Sequence, residues 1–383
     1  MTQPSNSNSG VAAGDILNSL LGLDEGSEIA QLRTRRPEAT GHMQLSYQAL
    51  FVDPPATSVT RVERFAIALR VAKLHDEHVF VEHYSVLLRG ESSGSAQLVS
   101  DVLAGPSSTG LTARLRAILT HADLLVIRPG AAQAEDLKTL QLAGLSIPEI
   151  VTVSQIISFV SFHIRVYVAL TLVRGDDRVA PSTTIGPKDA PNSGFTQERL
   201  GWAPWLPPFE VADATDEQRA VLPGQRLNNP YFRLLAFDPV VLGERTATDN
   251  GIFYTTEGLP RAERELSAAV TSRVNGCVYC ASVHSRLAAQ LSKRTEDVQR
   301  LLDEGITARQ DDRWQAITDL AAALAVTPPT ATQKHIARLR GLGLENLDLL
   351  DAMQATAFFS WANRLMLTLG EPLPPEGSAD EPK

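Results

Sequence analysis

Apolar residues recur along much of this chain at spacings of three and four. Leu266, Ala269, Val270 and Val274 form one such stripe, Leu287, Ala288 and Leu291 a second, and Ile317, Leu320 and Leu324 a third. That period lays them on one face of an α-helix. Leu259 and Pro260 open a helix carrying Glu263 and Glu265 in its first turns, where proline and acidic residues are both favoured. It should run to about Val274 and stop at Asn275-Gly276, a left-handed terminator. Gly341 and Gly343, before Leu344, mark another helix end. The longest apolar run, Ile150 to Val173, contains Ser158, Ser161, His163 and Arg165, which predicts a buried amphipathic helix rather than a membrane span. No series of alternating strands appears, so the predicted fold is all-α.

The pattern also repeats. A shift of 199 residues pairs Pro129 with Pro328, Gly144 with Gly343, Leu145 with Leu344, Phe159 with Phe358, Ser161 with Ser360 and Arg165 with Arg364. Upstream, a shift of 200 pairs Arg61, Glu63 and Arg64 with Arg261, Glu263 and Arg264. Two diverged tandem copies of one helical domain are expected, at 15–173 and 199–370. Between them 174–198 is rich in Pro, Gly, Ser and Asp without apolar period and reads as an exposed linker. Residues 1–14 and 371–383 read as disordered tails. The segment GWAPWLPP, from Gly201 to Pro208, cannot be a regular helix and is expected to wrap over the second copy.

Composition narrows the function classes. The 383 residues exceed what one ordinary core organises, and two domains is the prior. Net charge is -9 with acid and base interspersed, which argues against a nucleic-acid-binding face. The N-terminus lacks the basic and apolar regions of a secretory signal, so a reducing, cytoplasmic setting is the default. There a close cysteine pair points to catalysis or metal binding before it points to a structural disulfide.

Only two cysteines are present, Cys277 and Cys280, and His284 follows four residues later. Two cysteines scattered at random would lie this close on the order of one time in a hundred, so they read as a unit. At i, i+3 and i+7 the three side chains share one helix face. Cys277 should open the helix that follows the turn, where free amide N–H groups and the dipole favour thiolate. Glu265, twelve residues upstream, is brought back by the turn if the two helices pack. Nucleophile, base and orienter is the arrangement thiol chemistry needs, and the pair is expected within reach of solvent. Half a zinc site is the competing reading, lacking a fourth ligand. Inert packing is the other.

Residues from about Tyr231 to Gly370 resemble the carboxymuconolactone decarboxylase-like superfamily, in particular its alkyl hydroperoxidase D branch. The likeness rests on Glu265, then Asn275-Gly276-Cys277-x-x-Cys280-x-x-x-His284. It implies that Cys280 attacks a hydroperoxide, Cys277 resolves the sulfenic acid, His284 relays the proton and Glu265 is the base. It further implies no metal or organic cofactor, a dithiol or protein reductant as partner, and an assembly of two-copy chains as a trimer resembling a hexamer. The better-known members carry a second histidine before the second cysteine, where this chain has Tyr279. The first copy resembles the superfamily only in its frame and has no cysteine, which excludes a thiol mechanism there.

Other polar groups have plainer readings. His75, Asp76, Glu77, His78, Glu82 and His83 cluster, and His75, His78 and Glu82 would share a metal-binding face if helical, although mixed charges usually mark a solvated surface. Glu263 and Arg261 read as solvated, Arg165 and Arg364 as salt-bridge or subunit-contact residues, and Phe358, Phe359 and Trp361 as core or interface. A thiol-dependent peroxidase is the leading expectation. A cysteine-independent lyase or isomerase and a redox-sensing scaffold are the alternatives.

Overall fold

A computed structural model describes residues 14–24, 26–54, 59–91, 95–185 and 194–375. Most of the two expected tails, and residues 186–193 of the expected linker, lie outside them. The first half runs through α1 (Ile16–Leu21), α2 (Glu28–Thr34), α3 (Pro37–Tyr47), α4 (Arg61–Leu74), α5 (His78–Gly90), α6 (Ala96–Ala104), α7 (Ala113–Ile127), α8 (Ala134–Leu142) and α9 (Ile147–Arg174). The second contains α10 (Asp216–Val221), α11 (Pro230–Leu235), α12 (Pro239–Phe253), α13 (Arg261–Asn275), α14 (Val278–Ser292), α15 (Thr295–Glu304), α16 (Asp312–Ala325), α17 (Gln333–Gly341) and α18 (Asn346–Leu369). The fold is all-α. Among the described residues the one sheet has two strands, β1 (Gly201–Pro204) and β2 (Gly370–Leu373), paired antiparallel from Gly201 with Leu373 to Pro204 with Gly370. Ordered chain therefore continues past Gly370, and the Trp- and Pro-rich segment that cannot be helical supplies β2's partner.

From α3 to α9 and from α12 to α18 the helices follow in the same order with similar lengths. Equivalent ion pairs recur: Arg114 with Glu63 at 2.6 Å, and Arg313 with Glu263 at 2.7 Å. Glu263 is thus buried and paired rather than solvated. The halves do not form separate cores. Their buried apolar side chains make one continuous cluster, with α9 and α18 lying against each other at its centre. Phe159 and Phe162 of α9 meet Trp361 of α18 at ring separations of 5.2 and 5.4 Å. The Trp361 indole donates to Gln155 Oε1 at 2.9 Å, so its one polar atom is matched inside the core.

α9 departs from the amphipathic expectation. It has the length and composition of a membrane span, yet its most apolar window is entirely buried within the protein. A helix enclosed on every side needs no polar face. Its Arg165 also departs from expectation, because no carboxylate meets it. The buried guanidinium donates to the carbonyls of Leu324 (3.0 Å), Ala325 (2.7 Å) and Val326 (3.0 Å) and to Thr327 Oγ1 (2.9 Å) in the other half. Arg364 reaches back to the Val126 carbonyl at 3.3 Å. Each arginine caps the end of a helix in the opposite half.

Candidate active site

α13 ends where the sequence placed its end. Gly276 takes the left-handed conformation (φ 78°), and the Cys277 amide donates back to the Ser272 carbonyl at 2.8 Å. This 6→1 bond closes the helix and reverses the chain. Cys277 is then the N-cap of α14 and Cys280 lies in its first turn. Because the turn is tight, α13 and α14 pack antiparallel and Glu265 faces His284 across them. The Glu265 carboxylate accepts from His284 Nδ1 at 2.6 Å. Donating from Nδ1 leaves Nε2 as the nitrogen free for proton transfer. Arg261, expected to be solvated, bonds the other Glu265 oxygen at 3.1 Å and balances its buried charge. The His284 ring is held edge-on by Phe359 at 4.1 Å.

Both sulfurs are more enclosed than expected. Cys277 is 1% and Cys280 5% exposed, so neither lies on the outer surface. Cys280 instead opens into a cavity of about 200 Å³ that it shares with His284, Arg245, Asp249 and a wall of Trp202, Tyr231, Phe232, Phe358 and Phe359. Cys277 lines a different groove, of about 270 Å³, bounded by Gly130, Ala132 and Gln133 of the first half and by β2. Tyr279 borders both spaces.

The two thiols are electrostatically unlike. The hydrogen bond from the Cys277 thiol, opposed by burial and helped by His284, Asn363 and Arg245, holds Cys280 below the ordinary thiol value. Burial, together with that same hydrogen bond to Cys280, pushes Cys277 well up. Cys280 is accordingly the more readily ionised of the two and Cys277 its donor. Asn363 of α18 bonds both sulfurs and is fixed in turn by Ser272 and by Asn275, each at 3.0 Å. Sequence reading missed Asn363, Arg245 and Asp249. Asn363 lies beside the repeated Arg364, and only that adjacency could have flagged it.

The sequence positions paired with these in the first half lack this chemistry. Two hundred residues earlier, Phe65, Glu77, Phe80 and Tyr84 stand where Glu265, Cys277, Cys280 and His284 stand. Phe80, Tyr84, Phe51 and Phe65 pack ring to ring with separations of 5.5–6.3 Å and fill the space. The histidine-rich cluster does not share a helix face. α4 stops before His75, and Asp76 turns left-handed (φ 54°). His75 bonds the Val71 carbonyl and Arg165, Glu77 pairs with Arg178, His83 bonds Tyr47, and His78 and Glu82 are exposed. Among the described residues, no group of three or more His, Cys, Asp or Glu side chains is placed to hold a metal ion.

Residues 239–323 match the carboxymuconolactone decarboxylase family. The matched stretch spans α12 to most of α16 and so contains Arg245, Asp249, Glu265, both cysteines and His284. Among solved structures the chain is similar to an alkylhydroperoxidase AhpD core, an uncharacterized peroxidase-related protein from Ralstonia eutropha JMP134. That likeness is 24% identical, covers 43% of this chain and 88% of the other, and has a TM-score of 0.38. No curated protein sequence matches the chain.

Proposed function

We propose that the chain is a thiol-dependent peroxidase whose second half carries the reaction and whose first half is a diverged copy without it. What carries the reading is the pairing of a buried His284–Glu265 couple with Cys280, the more readily ionised of the two thiols, on the wall of one cavity. The Cys280 thiolate attacks the distal oxygen of a hydroperoxide. An S–O bond forms, the O–O bond breaks, and the proton that Cys280 gave to His284 Nε2 passes to the departing alkoxide, which leaves as the alcohol. The Cys277 thiol then attacks the sulfenic sulfur, water leaves, and a disulfide results. An external dithiol reduces it by exchange. Cys277 facing its own groove supports this division, because reductant and peroxide can approach from different sides.

The test is consumption of cumene hydroperoxide with dithiothreitol as donor, comparing wild type with Cys280→Ser and Cys277→Ser. Cys280→Ser should abolish turnover. Cys277→Ser should give one trappable sulfenic acid per chain and no recycling with a protein reductant. Folded wild-type protein that consumes no peroxide and yields no sulfenic acid would end the reading.

A further inference from the structure

The cavity beside Cys280 contains a buried guanidinium without a hydrogen-bond acceptor among the described residues. Arg245 of α12 is 5% exposed, and its Nε is buried without a partner. No hydrogen bond or ion pair to its guanidinium is found among the described residues; its neighbours are the faces of Phe358 and Trp361, at 5.1 and 5.8 Å. One turn on, Asp249 lines the same cavity without an ion pair to Arg245. Other buried arginines have acceptors: Arg165 donates to carbonyls and Arg36, which precedes α3, to Asp351 at 2.7 Å, while Arg364 shares the unpartnered Nε but still reaches the Ser360 and Val126 carbonyls through its amino groups. A desolvated guanidinium without acceptors is costly, and a site that retains one is completed by a ligand.

We infer that Arg245 is the binding residue for a carboxylate on the substrate, so that this cavity takes compact aromatic or branched hydroperoxides bearing an acid group. The planar fork of five donors fits a carboxylate in two parallel bonds. The surrounding Trp202, Tyr231, Phe232, Phe358 and Phe359 suit a ring or branched apolar body, and the volume near 200 Å³ excludes a long chain lying wholly inside. Arg226, stacked on Phe232 at 5.1 Å, adds a second positive charge beside this lining. Asp249 opposes an anion when ionised and donates to it when protonated; burial raises its pKa and so weakens the opposition. Of the other charged neighbours, Glu265 is paired with Arg261 and His284, and the Cys280 sulfur, which opposes an anion when ionised, is replaced by a hydroxyl in the variant tested below.

This inference rests on the same cavity being the active site, and its test does not need turnover. Benzoate and benzyl alcohol are titrated calorimetrically into reduced, full-length Cys280→Ser protein, alone and with Arg245→Lys, Arg245→Gln or Asp249→Asn added. Benzoate should bind at least about tenfold tighter than the alcohol. Its affinity should fall by about tenfold or more in Arg245→Gln and by a few-fold in Arg245→Lys, and rise in Asp249→Asn, with alcohol binding changed by less than about twofold. Far-UV circular dichroism checks each fold, and the Lys and Asn variants decide the matter if the Gln variant is unfolded. Equal affinity for acid and alcohol, or benzoate binding that ignores Arg245, overturns the inference. Absence of peroxide turnover in wild type would sink the peroxidase reading while leaving this result standing.

Discussion

At the scale of single residues, the site is a hierarchy of protons. Cys277 donates to Cys280, and His284 donates to Glu265. Alkylation of Cys280 should therefore rise with pH through a midpoint below the ordinary 9.0. The sign follows from the leading cause. A folded pKa held low means thiolate persists as pH falls, until protonation at that lower value removes both reactivity and the stabilisation of the charged form. Cys277→Ala removes the hydrogen bond and His284→Gln removes the nearby positive charge. Each should move the midpoint upward, as read by absorbance at 240 nm. Glu265→Gln should lower kcat/KM by roughly 10- to 100-fold with the fold kept, because His284 loses the partner that fixes its tautomer. An unchanged rate in that variant would show that Glu265 serves only Arg261. These four residues were legible in sequence because they sit on two consecutive helices at fixed spacing. Arg261 was misread for a related reason: four residues before Glu265 on the same helix, it looks like one end of a surface pair until the fold buries its partner.

At the scale of elements, the α13–α14 turn decides whether the chemistry assembles. Gly276 at φ 78° lets the chain reverse in one residue. Gly276→Ala places a Cβ in the left-handed region and should cost about 1–2 kcal/mol, measured by urea unfolding. It should also weaken the Cys277 hydrogen bond and so raise the Cys280 midpoint. The turn could be read from Asn275-Gly276 because helix termination is local chemistry. α12 gave no such signal. Arg245 and Asp249 acquire meaning only because α12, α14, α18 and β1 enclose one cavity, and a single sequence does not say which helices will meet. Likewise the short β1–β2 ladder joins residues about 170 apart, and no pattern within either strand announces the other.

At the scale of the whole molecule, the halves are locked rather than tethered. Arg165 caps the carbonyls that end α16, and Arg364 caps the end of α7. Arg165→Met should leave several buried carbonyls unmatched and cost on the order of 3 kcal/mol or more, with one cooperative transition lost or shifted as a unit. Two separable transitions would argue for independent halves. The first half also presses on the reactive turn: a Cβ on Gly130 would meet the Asn275 carbonyl at 3.0 Å. Gly130→Val should therefore lower turnover although it lies outside the substrate cavity. By the family resemblance, light scattering should give a trimer of chains. The pairing of residues 199 and 200 apart is visible in the sequence, whereas the shared core was not legible there, since burial on all sides erases the polar face by which a helix declares its neighbours.

That enclosure of α9 carries a consequence for biosynthesis. Its 28 residues leave the ribosome long before α18, their cover, has been made. At about 5–20 residues per second, synthesis of the intervening stretch takes roughly 10–35 s. Throughout that interval the face of α9 that packs on α18 lacks its partner in the nascent chain, while α4 and α7 are already made. Translation is thus the moment when this protein most depends on a holdase, and a ribosome stalled after residue 174 should release an aggregating fragment.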